Sequence, residues 1–149
     1  MSPPASPPYI DTSALAKWYL NEPGSDEFEA FITRRPGAIV SRLAAVELRC
    51  LLARRRRAGD IAPEIEAEAY RLFERDVGRG HLDLRPLDDA HAVAALDLLD
   101  NRLRHHPLRT LDALHLAAAL DASAAVIATA DRLMARAAAD LGLQAATFG

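Results

Sequence analysis

Asp11, Glu47, Asp112 and Asp131 are acidic residues set in surroundings that do not suit surface charge. Asp11 follows the pair Tyr9-Ile10, and Asp131 stands two residues past the apolar run Ala124–Thr129. Glu47 has Leu43, Ala44, Cys50 and Leu51 three and four positions away, where side chains share a helical face. Asp112 falls within Leu111–Leu120, L-D-A-L-H-L-A-A-A-L, whose surface is otherwise mostly apolar. A carboxylate taken out of water needs a cation or hydrogen-bond donors. Two carboxylates about 4 Å apart repel by roughly 4 kcal/mol at an effective dielectric of about 20. Four gathered in one pocket must therefore take up protons or hold a cation. Oxygen donors, with no cysteine and at most one histidine nearby, favour a hard ion, Mg²⁺ or Mn²⁺, over Zn²⁺. Mg²⁺ keeps several waters and takes only one or two carboxylates directly, which leaves the other acids to orient water or bind a second ion. Such a site suits phosphodiester hydrolysis, where the ion activates water and offsets phosphate charge.

The elements that must position these acids are legible from periodicity and punctuation. Tyr9-Ile10 reads as a short strand ending at Asp11, and Ala14–Leu20 as a helix. Pro23-Gly24 and Pro36-Gly37 bracket a helix over Ser25–Ile32, and Ala38–Ser41 reads as a second strand. Arg42–Arg57 is a long helix bearing Leu43, Val46, Cys50 and Leu51, and Glu64–Val77 another with Ile65, Ala69, Leu72 and Phe73 inward. His81–Arg85 alternates as a strand. Asp88 or Asp89 caps a helix to about Leu103 with a stripe of Val93, Leu96, Leu99 and Leu103. The Leu111–Leu120 helix, an Ala124–Thr129 strand, an Asp131–Leu141 helix and a Gln144–Phe148 strand complete the chain. Short apolar strands alternating with helices predict a three-layer α/β/α domain over residues 9–149 with a mainly parallel sheet. In such a sheet ligands bind at the carboxyl ends of the strands, where Asp11 and Asp131 would lie.

Each acid also has an ordinary reading. Asp11 and Asp131 precede helices and could be N-caps. Asp112 is near a helix start, where negative charge is favourable. Glu47 sits mid-helix, where neither explanation applies, and its ordinary role would be a salt bridge to an arginine. Arg109, one turn before Asp112, could pair with it or touch a substrate strand. His115 shares the Asp112 face among apolar neighbours and reads as a packed histidine, while His105-His106 reads as loop. Trp18, Tyr9 and Tyr19 fit core or dimer contacts at least as well as base stacking. Asp97 and Asp100 read as solvated surface.

Composition sets outer limits. The 149 residues carry a net charge of −3, so nucleic acid would be met by a local patch, not by overall charge. The densest basic run is Arg54–Arg57, which could grip phosphates or complement a helix C-terminus. A single cysteine, Cys50, allows no intrachain disulfide. No apolar run approaches a membrane span, and Met1–Pro8 reads as a Pro-rich disordered arm rather than a signal peptide. The expectation is a cytoplasmic protein.

The motifs Tyr-Ile-Asp11-Thr-Ser-Ala-Leu, Ala-Val-Glu47-Leu, Leu-Asp112-Ala-Leu-His-Leu-Ala and Ala-Thr129-Ala-Asp131 together resemble the four acidic motifs of PIN-domain ribonucleases. More closely, they resemble VapC toxins of bacterial type II toxin–antitoxin systems, in order and over residues 9–148. The resemblance implies a Mg²⁺- or Mn²⁺-dependent endoribonuclease, usually a homodimer, silenced by a VapB antitoxin. It further implies that Asp11, Glu47, Asp112 and Asp131 form the catalytic quartet, with Asp11 and Asp112 as the direct metal ligands. Thr12, Ser13 and Thr129 would then help position metal waters or phosphate. A rival, an aspartate-based phosphate-transfer domain, wants a lysine near the phosphate, whereas Lys17 is the only lysine; its phosphatase form also wants an aspartate at position 13, which is serine. A non-catalytic module that docks a partner protein through its acidic pocket is the other alternative.

Overall fold

The computed structural model describes residues 6–149. The elements run β1 (Tyr9–Ile10), α1 (Thr12–Tyr19), α2 (Ser25–Thr33), β2 (Ala38–Ser41), α3 (Arg42–Arg57), α4 (Pro63–Gly78), β3 (Leu82–Arg85), α5 (Asp89–Asp100), α6 (Thr110–Asp121), β4 (Val126–Thr129), α7 (Arg132–Asp140) and β5 (Gln144–Thr147). The five strands form one sheet in the order β3-β2-β1-β4-β5, and every pairing is parallel. Side chains alternate across it with the period of two that a strand imposes. Tyr9, Ile39 and Ile127 join one core layer with α5, α6 and α7; Ile10, Val40 and Ala128 join the other with α1, α2, α3 and α4. The result is the three-layer α/β/α arrangement expected, with a sheet that is wholly parallel.

The chain order places a switch point at the centre of the sheet. From β1 it moves outward through β2 to β3, then returns to the other side of β1 as β4. The crossovers flanking β1 therefore lie on opposite faces, and a crevice opens beyond the carboxyl ends of β1 and β4. Helices that leave these strands begin at that edge. α6 also begins there, because it leads into the opposite end of β4.

Several sequence readings of the helical faces are corrected. On α5, Val93 and Leu96 are 60% and 63% exposed, and the buried residues are His91, Ala95 and Leu98. On α3, Val46 and Cys50 are exposed, and Leu43, Ala44, Ala45, Leu48 and Leu52 face the core. Ile65 is exposed while its neighbour Glu66 is buried, accepting from Arg49 (3.3 Å) and Arg56 (2.8 Å). Arg55 pairs with Glu22 at 3.1 Å, so two members of the basic run tie α3 to neighbouring segments. Of the arm expected over 1–8, residues 1–5 lie outside the described residues; Pro8 is buried and its carbonyl accepts from the Ile39 amide at 2.8 Å. The α5 correction is testable: Leu96→Lys is expected to change stability by less than about 0.5 kcal/mol, whereas Leu98→Ala costs about 2–5 kcal/mol. Equal losses in urea unfolding would contradict this orientation.

Candidate active site

Asp11 leaves β1 and enters the crevice at the switch point. Its amide donates to the Ala128 carbonyl of β4 (3.1 Å), which extends the β1–β4 pairing up to the site. The side chain is 4% exposed, and donors surround it. Oδ1 accepts from the Ser13 hydroxyl (2.7 Å) and the Ala14 amide (3.1 Å), and Oδ2 from the Thr129 hydroxyl (2.6 Å). Asp11 is thus an N-cap of α1 as well as a site residue. Burial pushes its carboxyl above the ordinary aspartate value, and the donors from Thr129, Ser13 and Ala14 are the weaker influence.

Thr129 and Ser13 stitch the two strand ends together. While donating to Asp11, the Thr129 hydroxyl accepts from the Asp131 amide (3.0 Å), and the Ser13 hydroxyl accepts from the Ala130 amide (2.9 Å). Asp131 in turn caps α7, its Oδ1 accepting from Leu133 (2.8 Å) and Met134 (3.4 Å) amides. Its Oδ2 lies 3.7 Å from Nη2 of Arg109.

Asp112 stands in the first turn of α6, and its Oδ2 accepts from the backbone amide of Arg109 (3.1 Å) and from its Nε (3.5 Å). The Arg109 guanidinium therefore bridges two of the acids. Its side chain is 81% exposed, so solvent screens both contacts and they hold the site weakly.

Glu47, in the second turn of α3, is reached from two other elements. Its Oε1 accepts from the Thr12 hydroxyl (2.9 Å) and from Nε2 of His115 (2.5 Å), and the second ring nitrogen of His115 lies 2.6 Å from the Tyr9 hydroxyl. Burial works against the charge on Glu47, but His115, the Thr12 hydroxyl and the Arg109 charge outweigh it and hold the carboxyl below the ordinary glutamate value. The arginine partner considered for Glu47 is thus replaced by a histidine and a threonine. From sequence Tyr9 reads as a core or dimer contact and His115 as a packed histidine, and neither reading places them beside Glu47. The signal that could have found His115 is its position, three residues after Asp112 on the same helical face.

The structure therefore brings all four acids to one edge of the sheet. Asp11 and Asp131 join through Thr129, Asp131 and Asp112 through Arg109, and Asp11 and Glu47 through the neighbouring Thr12 and His115. Oδ1 of Asp112 and Oε2 of Glu47 have no hydrogen-bond partner among the described residues. Oxygen donors without sulfur, around a buried carboxylate that lacks a lysine or arginine partner, fit a hard divalent ion. Among the described residues no three acidic, histidine or cysteine side chains stand close enough together to share one ion. An apolar cavity of about 320 Å³, lined by Leu15, Trp18, Phe28 and Leu82 among others, includes none of the four acids.

Comparison with solved structures finds the same architecture in several of them. The chain is similar to VapC20 of Mycobacterium tuberculosis, described as a sarcin-ricin loop cleaving toxin, with TM-score 0.68 and 14% identity over 87% of this chain and 93% of that one. It is similar to VapBC2 of Rickettsia felis, solved on a promoter DNA fragment, with TM-score 0.64 and 12% identity over 95% and 98% of the two chains. FitAcB of Neisseria gonorrhoeae gives TM-score 0.62 and 16% identity over 92% and 94%. At these identities the likeness is one of fold. No curated protein sequence matches the chain. A family model for the PIN domain matches residues 9–140, a span that contains all four acids and every element from β1 to α7. The chain belongs to the PIN-domain family.

Proposed function

We propose that this protein is a metal-dependent endoribonuclease acting in the cytoplasm as the toxin of a VapBC-type pair, held silent by a VapB-type antitoxin and working as a homodimer. The observation that carries the reading is the gathering of Asp11, Glu47, Asp112 and Asp131 from four elements at the switch point, each with at least one oxygen already oriented by a protein donor. Asp11 and Asp112 would hold the ion, Mg²⁺ or Mn²⁺. That ion supplies positive charge that offsets the phosphate and makes water a better nucleophile.

The chain's own residues do the rest. Glu47 Oε2 is open to accept a hydrogen from the water that attacks phosphorus in line with the leaving oxygen. Asp131 Oδ2 completes the negative field and orients water. Thr12, Ser13 and Thr129 support the reaction through the carboxylates, since each of their hydroxyls donates to one of them. Arg109 is placed to meet a phosphate when the ion takes over its partners, and a basic antitoxin side chain would compete for the same acids. The solved complexes VapBC2 and FitAcB support an antitoxin partner by likeness of fold.

The test is cleavage of structured RNA by the purified chain. Cutting is expected to require Mg²⁺ or Mn²⁺, to stop in EDTA, and to fall by about 10²-fold or more in Asp112→Asn. A folded wild-type chain that binds an antitoxin but cuts no RNA with either ion would instead favour a docking module.

A further inference from the structure

His115 is not one of the acids, yet it is 3% exposed and both its ring nitrogens are engaged within the protein. One side meets Glu47, the other Tyr9, and the Tyr9 ring packs edge-on against the imidazole at 5.8 Å. We propose that His115 is a positioning residue that fixes the Glu47 carboxylate with one oxygen turned to the site, and that Tyr9 decides which imidazole nitrogen carries the proton. The proposal takes what Glu47 does from the nuclease reading, but the geometry it describes stands without it.

The order of donors and acceptors runs one way. The Tyr9 phenol is buried, and a phenol ordinarily keeps its hydrogen at neutral pH. Its hydrogen needs an acceptor, and Nδ1 of His115 lies 2.6 Å away. With Nδ1 accepting, the neutral imidazole carries its proton on Nε2, which faces Glu47 Oε1 at 2.5 Å. The opposite tautomer would set a lone pair against a carboxylate. Oε1 also receives the Thr12 hydroxyl at 2.9 Å, so two donors load the same oxygen and leave Oε2 to the crevice. A glutamate on its own samples many rotamers. Here it is pinned from the buried side: the imidazole is closed to solvent while the Glu47 side chain is 23% exposed toward the site.

The arrangement is that of a carboxylate whose outer partner sets its direction. Loss of such partners at metal sites costs about 10- to 100-fold in activity or metal affinity. In RNA cleavage at saturating Mg²⁺, His115→Ala is expected to lower kcat by about 10- to 100-fold while KM stays within about twofold. His115→Gln, whose amide can donate to Glu47 and accept from Tyr9, is expected to recover most of the loss. Tyr9→Phe lowers kcat by less. Nitrogen NMR of the full wild-type chain is expected to show His115 unprotonated at Nδ1 and protonated at Nε2, and Tyr9→Phe to bring in the other tautomer.

A folded His115→Ala with unchanged kcat, or a wild-type His115 that carries a proton at Nδ1, overturns the proposal. If His115→Ala does not fold, Tyr9→Phe and His115→Gln carry the kinetic test, with kcat equal to wild type in Tyr9→Phe and an unmoved tautomer counting against it. If the wild-type chain cuts no RNA, the nuclease reading fails by itself, and the tautomer measured in wild type and Tyr9→Phe still decides this proposal.

Discussion

Asp11→Asn is expected to reduce RNA cleavage by roughly 10²–10³-fold while making the metal-free protein more stable at neutral pH. The two effects have one cause. The Asp11 carboxyl is buried, and burial raises its pKa in the folded protein above the ordinary aspartate value of 3.8. A group held this way favours folding fully only below its unfolded pKa, and loses that contribution as pH rises through the folded one. At pH 7 the native chain therefore holds this carboxyl at a disadvantage relative to the unfolded chain, where the charge is free in water. Asparagine removes the charge yet keeps an oxygen to accept from Ala14 and cap α1. The advantage of the variant shrinks as pH falls through the raised pKa and is gone below about pH 3.8. Each 1 kcal/mol gained appears as roughly 2–4 °C in melting temperature for a domain of this size. Adding Mg²⁺ reverses the ranking, because an ion that binds only the native wild type stabilises it by mass action. Thermal melts in EDTA and in Mg²⁺ check this. An EDTA melting temperature at pH 7 lower in the variant than in wild type would show that Asp11 is not a strained charge.

Thr129→Val is expected to destabilise the protein by about 2–6 kcal/mol, because one methyl-for-hydroxyl exchange orphans two groups at about 1–3 kcal/mol each. Thr129 is completely buried, and its hydroxyl joins the Asp11 carboxylate to the Asp131 amide. Valine fills the same volume, so packing is preserved and the loss reports the hydrogen bonds. Thr129→Ser keeps the hydroxyl and is expected to cost about 1 kcal/mol for the missing methyl group. Cleavage should fall with Thr129→Val and persist with Thr129→Ser, since Asp131 is aimed through this contact. Urea unfolding of both variants decides it: losses equal within about 0.5 kcal/mol would mean that the hydroxyl bridge contributes nothing measurable.

The contrast between what the sequence discloses and what it hides follows the reach of each interaction. Strands buried on both faces read as short apolar runs, so Ala38–Ser41 and the end of β4 at Thr129 are found directly. Arg109 and Asp112 are three apart on one helix, and their pairing is visible from spacing alone. Glu47 meets His115 and Thr12 across 68 and 35 residues, and no helical periodicity carries that information. The face of α5 is not legible from spacing, because Ala90, Val93, Ala94, Ala95, Leu96 and Leu98 put small or apolar side chains nearly all round the helix. Packing against α6 then selects Ala95 and Leu98 and leaves the bulkier Val93 and Leu96 outside.

β1 contains two residues, and its neighbours in the sheet come from distant parts of the chain. Asp11 receives its Thr129 partner across 118 residues, and the Asp131 carboxylate arrives later still. Pairing of that range waits for most of the polypeptide and closes slowly compared with local helix formation. A nascent chain whose fourth strand is still inside the ribosome thus has Asp11, Glu47 and Asp112 but neither the β4 strand that β1 pairs with nor Thr129 and Asp131. Synthesis from the N-terminus makes the joined β1–β4 edge one of the last things to form, so on the proposed nuclease reading fragments ending before Thr129 are expected to leave RNA uncut.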